Sequence, residues 1–233
     1  NLSINRLNDR RTLQSQFDRL RRQADQSGMI DAMDRFDEQA YEMVTGERAR
    51  TAFDIGLEDP RLRDRYGRNS WGQSVLLARR LVEAGTTFVT CHFGGWDSHW
   101  NHQGTMENHL PKVDMAVASL IEDLSNRGML DQVLVVVMGE FGRTPRINGN
   151  AGRDHWARSW SVVLGGAGIQ GGLAIGETDA EGRRVLSEPY SAEDLMATVC
   201  RGLGISLETT FQSKNGRPMK IANGGKLIRE LVG

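Results

Sequence analysis

The sequence predicts an α/β protein preceded by a helical hairpin, and three observations predict it. The first part of the chain carries two amphipathic stretches with no strand between them. From Ser70 onward, helix-like and strand-like segments alternate. The strand-like segments are short and almost uniformly apolar, a pattern that belongs in a sheet covered on both faces by helices. At 233 residues and 39% hydrophobic content, the chain can bury one sizeable core or at most two small ones. The expected division is a helical segment over 1–68, packed on or inserted in an α/β core over 69–233.

The elements follow in order. From Arg6 to about Gln26, Leu7, Leu13, Phe17 and Leu20 recur at helical steps in polar surroundings. From Met29 to Val44, Ile30, Met33, Phe36, Ala40 and Met43 share one face, and Gly46 stands where a C-capping glycine is expected. After a loop carrying Asp59-Pro60 and Tyr66-Gly67, a helix spans about Ser70 to Ala84 and ends at Gly85. The β-branched run Thr86 to Phe93 reads as the first strand. A helix from about Met106 to Asn126 with Leu110, Val113, Val117, Leu120 and Leu124 inward leads to a second strand, Gln132 to Met138. A third strand is expected at Trp160 to Leu164, then a glycine-rich turn and an extended piece, Leu173 to Ile175. A final helix is expected to open at Ser191, whose hydroxyl can cap it, with Asp194 in the capping-box position. The stretch from Phe211 to the end reads as loop plus a short terminal helix.

Charge and motif content exclude several function classes. Charged residues make up 25% of the chain and leave a formal net charge of -1, so no global field favours nucleic acid or an anionic membrane. The longest apolar run, Val133 to Met138, is far short of the roughly 20 residues of a membrane span. No secretory signal is visible, so the chain is read as a possible fragment with its compartment open. Cys91 and Cys200 read as small core hydrophobes rather than a disulfide or metal pair. Gly166-Ala167-Gly168-Ile169-Gln170-Gly171 matches the dinucleotide pattern, but the following Gly172 to Asp179 reads as strand and turn. That pattern needs a helix there to hold a pyrophosphate, so neither nicotinamide nor flavin is expected.

Chemistry concentrates beside the strands. Gly94 to His102 follows the first, Gly139 to Arg146 the second, and Gly152-Arg153-Asp154-His155-Trp156 precedes the third. Loops at strand ends are where an open α/β sheet binds ligands. Asp97, His99, His102, Glu140, Asp154 and His155 supply the oxygens and nitrogens of a divalent-metal site for zinc, manganese or calcium. The same cluster would also arise if Asp97, Glu140 and Asp154 formed ion pairs with Arg143, Arg146 and Arg153. His92 reads as a core histidine and His109 as a solvated one. Trp96, Trp100, Trp156 and Trp160 flank the polar clusters, either as packing or as a wall for a sugar-like or aromatic ligand.

Tyr66-Gly67-Arg68, the run Leu76 to Gly85, Gly95-Trp96-Asp97-Ser98-His99, Gly139 to Pro145 and Gly152 to Trp156 together resemble the bacterial domain-of-unknown-function family 1501, grouped with alkaline phosphatases and sulfatases. The resemblance implies a three-layer αβα sandwich and an exported, periplasmic protein whose twin-arginine signal and first strands precede this region. The N-terminal part of the same protein would then be a partner. It further implies that Asp97 with His99 or His102, Glu140 and His155 match metal ligands of the related hydrolases; in the metal-site reading Asp154 orients His155 or binds directly. Arg143 and Arg153, with Trp96 and Trp156, would meet a small anionic ester or carbohydrate ligand. Phe141 stands where those hydrolases carry a histidine, and their nucleophile lies on strands absent here. The expected activity is metal-dependent phosphate- or sulfate-ester hydrolysis, with a non-catalytic binding or assembly module as the alternative and catalytic residues unassigned.

Overall fold

The computed structural model describes residues 8–12 and 46–232. Residues 8–12 are helical, with the Thr12 hydroxyl donating to the Asn8 carbonyl at 3.0 Å. The remainder of the expected hairpin lies outside the described residues. Gly46 is not a left-handed C-cap. It has extended backbone, φ -61° and ψ 136°, and it precedes a new helix.

The chain divides into two compact units, Asn1–Arg63 with Leu76–Cys91, and Asp64–Val75 with His92–Gly233. In the first, helix α1 (Glu47–Phe53) leads through a tight turn at Ile55–Leu57 to helix α2 (Pro60–Tyr66), which passes into the second unit at Asp64. The Asp54 carboxylate fixes that turn by accepting from the Gly56 amide at 3.0 Å. Helix α3 (Ser70–Glu83) begins where its sequence predicts, in the second unit, and continues in the first from Leu76. Its apolar face buries Leu76, while Arg79, 1% exposed, is held by Glu58 at 2.8 Å and Glu83 at 2.6 Å. Arg80 also pairs with Glu58 and donates to the Ala52 and Thr51 carbonyls. Burial alone would raise the Glu58 pKa, yet the Arg79 and Arg80 guanidinium groups hold it below its ordinary value.

In the second unit, helix α4 spans His102–Asn126 and begins a turn earlier than the apolar pattern indicates. Asn101 precedes it in the left-handed region, φ 42°, a conformation asparagine tolerates better than most residues. The buried Tyr66 hydroxyl donates to the Asp123 carboxylate at 2.9 Å, whose other oxygen accepts from Arg127 at 2.8 Å. Ser119 donates to the Arg65 carbonyl at 2.7 Å, anchoring the same face of α4. Val113, Val117 and Leu120 are half-buried and Leu124 is buried, as the periodicity predicts, whereas Leu110 is exposed.

The sheets depart from expectation. Thr86 to Phe93 forms no strand, and Phe88 is 79% exposed. His92 is exposed there rather than a core histidine, and Cys91 is only half-buried. Strand β1 (Val135–Val137) pairs antiparallel with β4 (Val163–Gly165), and β2 (Gly142–Arg143) pairs antiparallel with β3 (His155–Trp156). Strand β4 starts later than the expected Trp160, and Leu173 to Ile175 forms no strand. The fold therefore mixes helices with small two-stranded sheets. No helix begins between Gly172 and Ser191.

Helix α5 (Ala192–Gly202) carries the expected capping box: Ser191 accepts from the Asp194 amide at 3.1 Å, and Asp194 accepts from the Ser191 amide at 2.8 Å. Cys200 is buried in its apolar face. The C-terminal segment docks on α5 through Lys226, whose amide donates to Asp194 at 2.7 Å, and Ile228, whose amide donates to the Thr198 hydroxyl at 3.0 Å. A hairpin of β5 (Thr210–Gln212) and β6 (Pro218–Lys220) replaces part of the expected loop, and the short helix α6 (Arg229–Val232) follows. Among the described residues, no helix is long and apolar enough to cross a membrane.

Candidate metal centre

Three polar loops of the second unit are knitted together by their backbones. Arg153 donates its amide to the Ser98 carbonyl at 3.1 Å, Asn101 to Asn150 at 3.1 Å and His102 to Ala151 at 2.9 Å. Thr144 donates its amide to the Asp154 carbonyl at 2.9 Å and accepts the Asp154 amide on its hydroxyl at 3.1 Å. Gly152 lies so close to the His99 carbonyl that a Cβ there would overlap it. Only glycine admits this approach. Across the β2–β3 pair, Arg143 stands directly opposite His155, so the two side chains share a face.

The result is a compact triangle. Asp97 Oδ1 lies 2.9 Å from His99 Nε2 and 3.0 Å from His155 Nε2, and the two imidazole nitrogens are 3.2 Å apart. Among the described residues, Asp97, His99 and His155 form the one group of three histidine, cysteine or acidic side chains placed to hold a metal ion. Arg143 donates to the same Asp97 oxygen at 3.0 Å and to the Trp96 carbonyl at 2.8 Å. The His155 hydrogen bond, then that of Arg143, hold the Asp97 pKa down to about 2. The carboxylate is thus ionised throughout the physiological range.

Asp154 stands behind the triangle. It accepts from His99 Nδ1 at 2.9 Å and from Asn148 Nδ2 at 3.0 Å, and these bonds, that of His99 foremost, lower its pKa. The Asp154 carboxylate favours the His99 tautomer with its proton on Nδ1, and that tautomer turns the Nε2 lone pair into the triangle. Asn148 also donates to the His99 carbonyl at 3.0 Å, while its oxygen accepts from Asn150 at 2.9 Å and Gly152 at 3.0 Å. Sequence reasoning did not single out Asn148. The turn-forming run Asn148-Gly149-Asn150 is the signal that marks it. The Phe141 ring lies against His155, centroids 4.2 Å apart.

The other anticipated residues lie apart from the triangle. Glu140 is exposed and stands outside the group of three. His102 Nδ1 meets the buried Ser98 hydroxyl at 2.7 Å, and burial followed by the charges of Arg153 and Arg143 lowers its pKa, leaving it neutral at pH 7. Arg153 donates to the Thr144 and Pro145 carbonyls at 2.7 and 2.8 Å, bracing the loop. Trp96 stacks on Trp71, and His109 sits edge-on to both at 5.1 and 4.9 Å. His109 is therefore half-buried in an aromatic cluster rather than solvated. Trp156 is half-buried beneath Arg158, whose guanidinium lies 5.3 Å above its ring, while Trp100 is exposed.

The sequence profile of the family described as "Protein of unknown function (DUF1501)" matches residues 1–232. The chain belongs to the DUF1501 family. No curated protein and no solved structure matches it. In this DUF1501 chain, the family resemblance read from the Gly95–His99 and Gly152–Trp156 motifs falls on the two loops that build the triangle.

Proposed function

We propose that Asp97, His99 and His155 hold one divalent metal ion and that the centre serves hydrolysis of a phosphate or sulfate ester. The observation that carries the metal reading is the triangle of one carboxylate oxygen and two imidazole nitrogens at 2.9, 3.0 and 3.2 Å, while the ester rests on the resemblance to alkaline phosphatases and sulfatases. Three donors at about 2.0–2.2 Å from a shared ion lie roughly 3–3.5 Å apart, so the side chains fit such an ion with little rearrangement. Zinc and manganese suit this donor set. A bound ion would polarise the ester and lower the pKa of a coordinated water.

The chain's own residues do the rest. Asp154 fixes the His99 tautomer, and Arg143 places a second positive charge against Asp97, beside which an anionic ester can lie. The cluster is open to a ligand: the side chains of Asp97 and His155 are 68% and 52% exposed. Ion pairs this exposed contribute little to stability, so a purely stabilising network explains the convergence poorly. By the same resemblance we place the protein outside the cytoplasm.

The test is the metal content of never-chelated protein by inductively coupled plasma mass spectrometry. One zinc or manganese per chain is expected, lost in His155→Ala while the unfolding temperature moves little. A metal-free wild-type chain, or an unchanged content in His155→Ala, overturns the assignment. Hydrolysis of 4-nitrophenyl phosphate or sulfate by loaded protein, abolished in the same variant, separates an enzyme from a binding module.

A further inference from the structure

A cavity of about 360 Å³ opens beside the triangle, lined by Phe141, Arg143, Ser159, Trp160, Ser161 and Thr178 among others. Two of these residues belong to both places. Phe141 lies 4.2 Å from the His155 ring, and Arg143 bonds to Asp97 at 3.0 Å. Gly142 allows the arrangement, since a Cβ there would overlap the Ser159 carbonyl. The cavity's second wall is thereby held against β2.

We infer that this cavity seats the sugar ring of a monosaccharide phosphate or sulfate ester, deepening the reading of the adjacent centre and resting on it for the ester end alone. The lining combines three hydroxyl-bearing residues, Ser159, Ser161 and Thr178, with Trp160, which is 38% exposed. A pyranose matches both: its axial C–H face packs on an aromatic ring, and its hydroxyls pair with short polar side chains. A plain aromatic ester would offer those residues no hydrogen-bonding groups of its own. Bare sulfate or phosphate would use Arg143 and leave Trp160 without a role. The volume lies near the low end for small-molecule cavities, room for one ring rather than a nucleotide. Arg143, shared by cavity and triangle, would then meet the ester oxygens at the junction.

The experiment is isothermal titration of manganese-loaded protein with glucose, galactose and N-acetylglucosamine 6-sulfates, and separately with inorganic sulfate and phenyl sulfate. At least one sugar sulfate is expected to bind more tightly than either control. Trp160→Ala should weaken it about tenfold, near 1.4 kcal/mol, and Thr178→Val should weaken it in the same direction, with manganese affinity unchanged in both. The inference is overturned if no sugar sulfate binds, if phenyl sulfate or sulfate binds as tightly, or if both variants keep full affinity. Failure of the metal reading shows separately: a chain that takes up no manganese yet binds methyl glucoside in a Trp160-dependent way keeps the sugar seat and loses only the ester centre.

Discussion

Asp154 touches no other corner of the triangle than His99, so its substitution separates orientation from ligation. Asp154→Asn is expected to lower metal affinity roughly 10- to 100-fold, measured by competition with a chromophoric chelator, with the fold retained. Equal affinity in the variant would mean that the ring needs no such partner. Gly152 offers a second handle. Gly152→Ala drives a methyl into the His99 carbonyl and should cost roughly 1–3 kcal/mol by urea denaturation as well as weakening metal binding. Gly149→Ala, whose Cβ meets nothing within 4 Å, should do neither. The triangle itself was legible because aspartate and histidine are scarce beside apolar runs and their residue types suit a metal. Glu140 and His102 carry the same types, and only the β2–β3 register and the start of α4 separate them from it. Asn148 went unread because its work is done through backbone contacts, which residue type does not announce.

The longer helices were the readable elements, since each carries its own periodicity, whereas α1 and α2, 7 residues each, lie in a stretch that the sequence presents as loop. The start of α3 and the Ser191–Asp194 box stand where the local pattern puts them, because local bonds decide both. The stretch from Thr86 to Phe93 shows the opposite case: β-branched residues favour extension, but a strand exists only where a neighbour pairs with it. The helical elements of the first unit also carry a test of their own. Glu58 joins Arg79 and Arg80, so Glu58→Ala leaves a buried guanidinium short of a partner and should cost about 3 kcal/mol, read by thermal or urea unfolding. The Glu58 pKa lies below its ordinary 4.5 when folded. Its contribution is therefore complete above that value and is lost as pH falls through the lower folded value. Acid titration of wild type and Glu58→Gln should show the wild type losing its advantage only in that acidic window. An advantage independent of pH there would contradict the pairing.

At the scale of the whole molecule, uniform apolarity suggested a sheet covered on both faces by helices, whereas the described strands form two-stranded antiparallel pairs. Hydrophobic pattern reports that a segment is apolar, and partner and direction depend on contacts distant in sequence. One consequence concerns solubility. Val133 to Met138 is an uncharged apolar run without proline, and within it Val136 and Met138 are 36% and 55% exposed, with Val163 across the ribbon at 58%. Such ribbons template association. Val136→Lys should reduce concentration-dependent association in multi-angle light scattering, and wild-type protein that stays monodisperse as concentration rises would refute the expectation. The last consequence belongs to Asn148, which precedes Gly149. An asparagine before glycine is chemically perishable, because the next backbone nitrogen can close on the side-chain carbonyl and expel ammonia. Here the amide that would be lost donates to both Asp154 and the His99 carbonyl. Ageing at this single bond would set a new carboxylate against Asp154, so the intact side chain is a clock on the working life of the whole site.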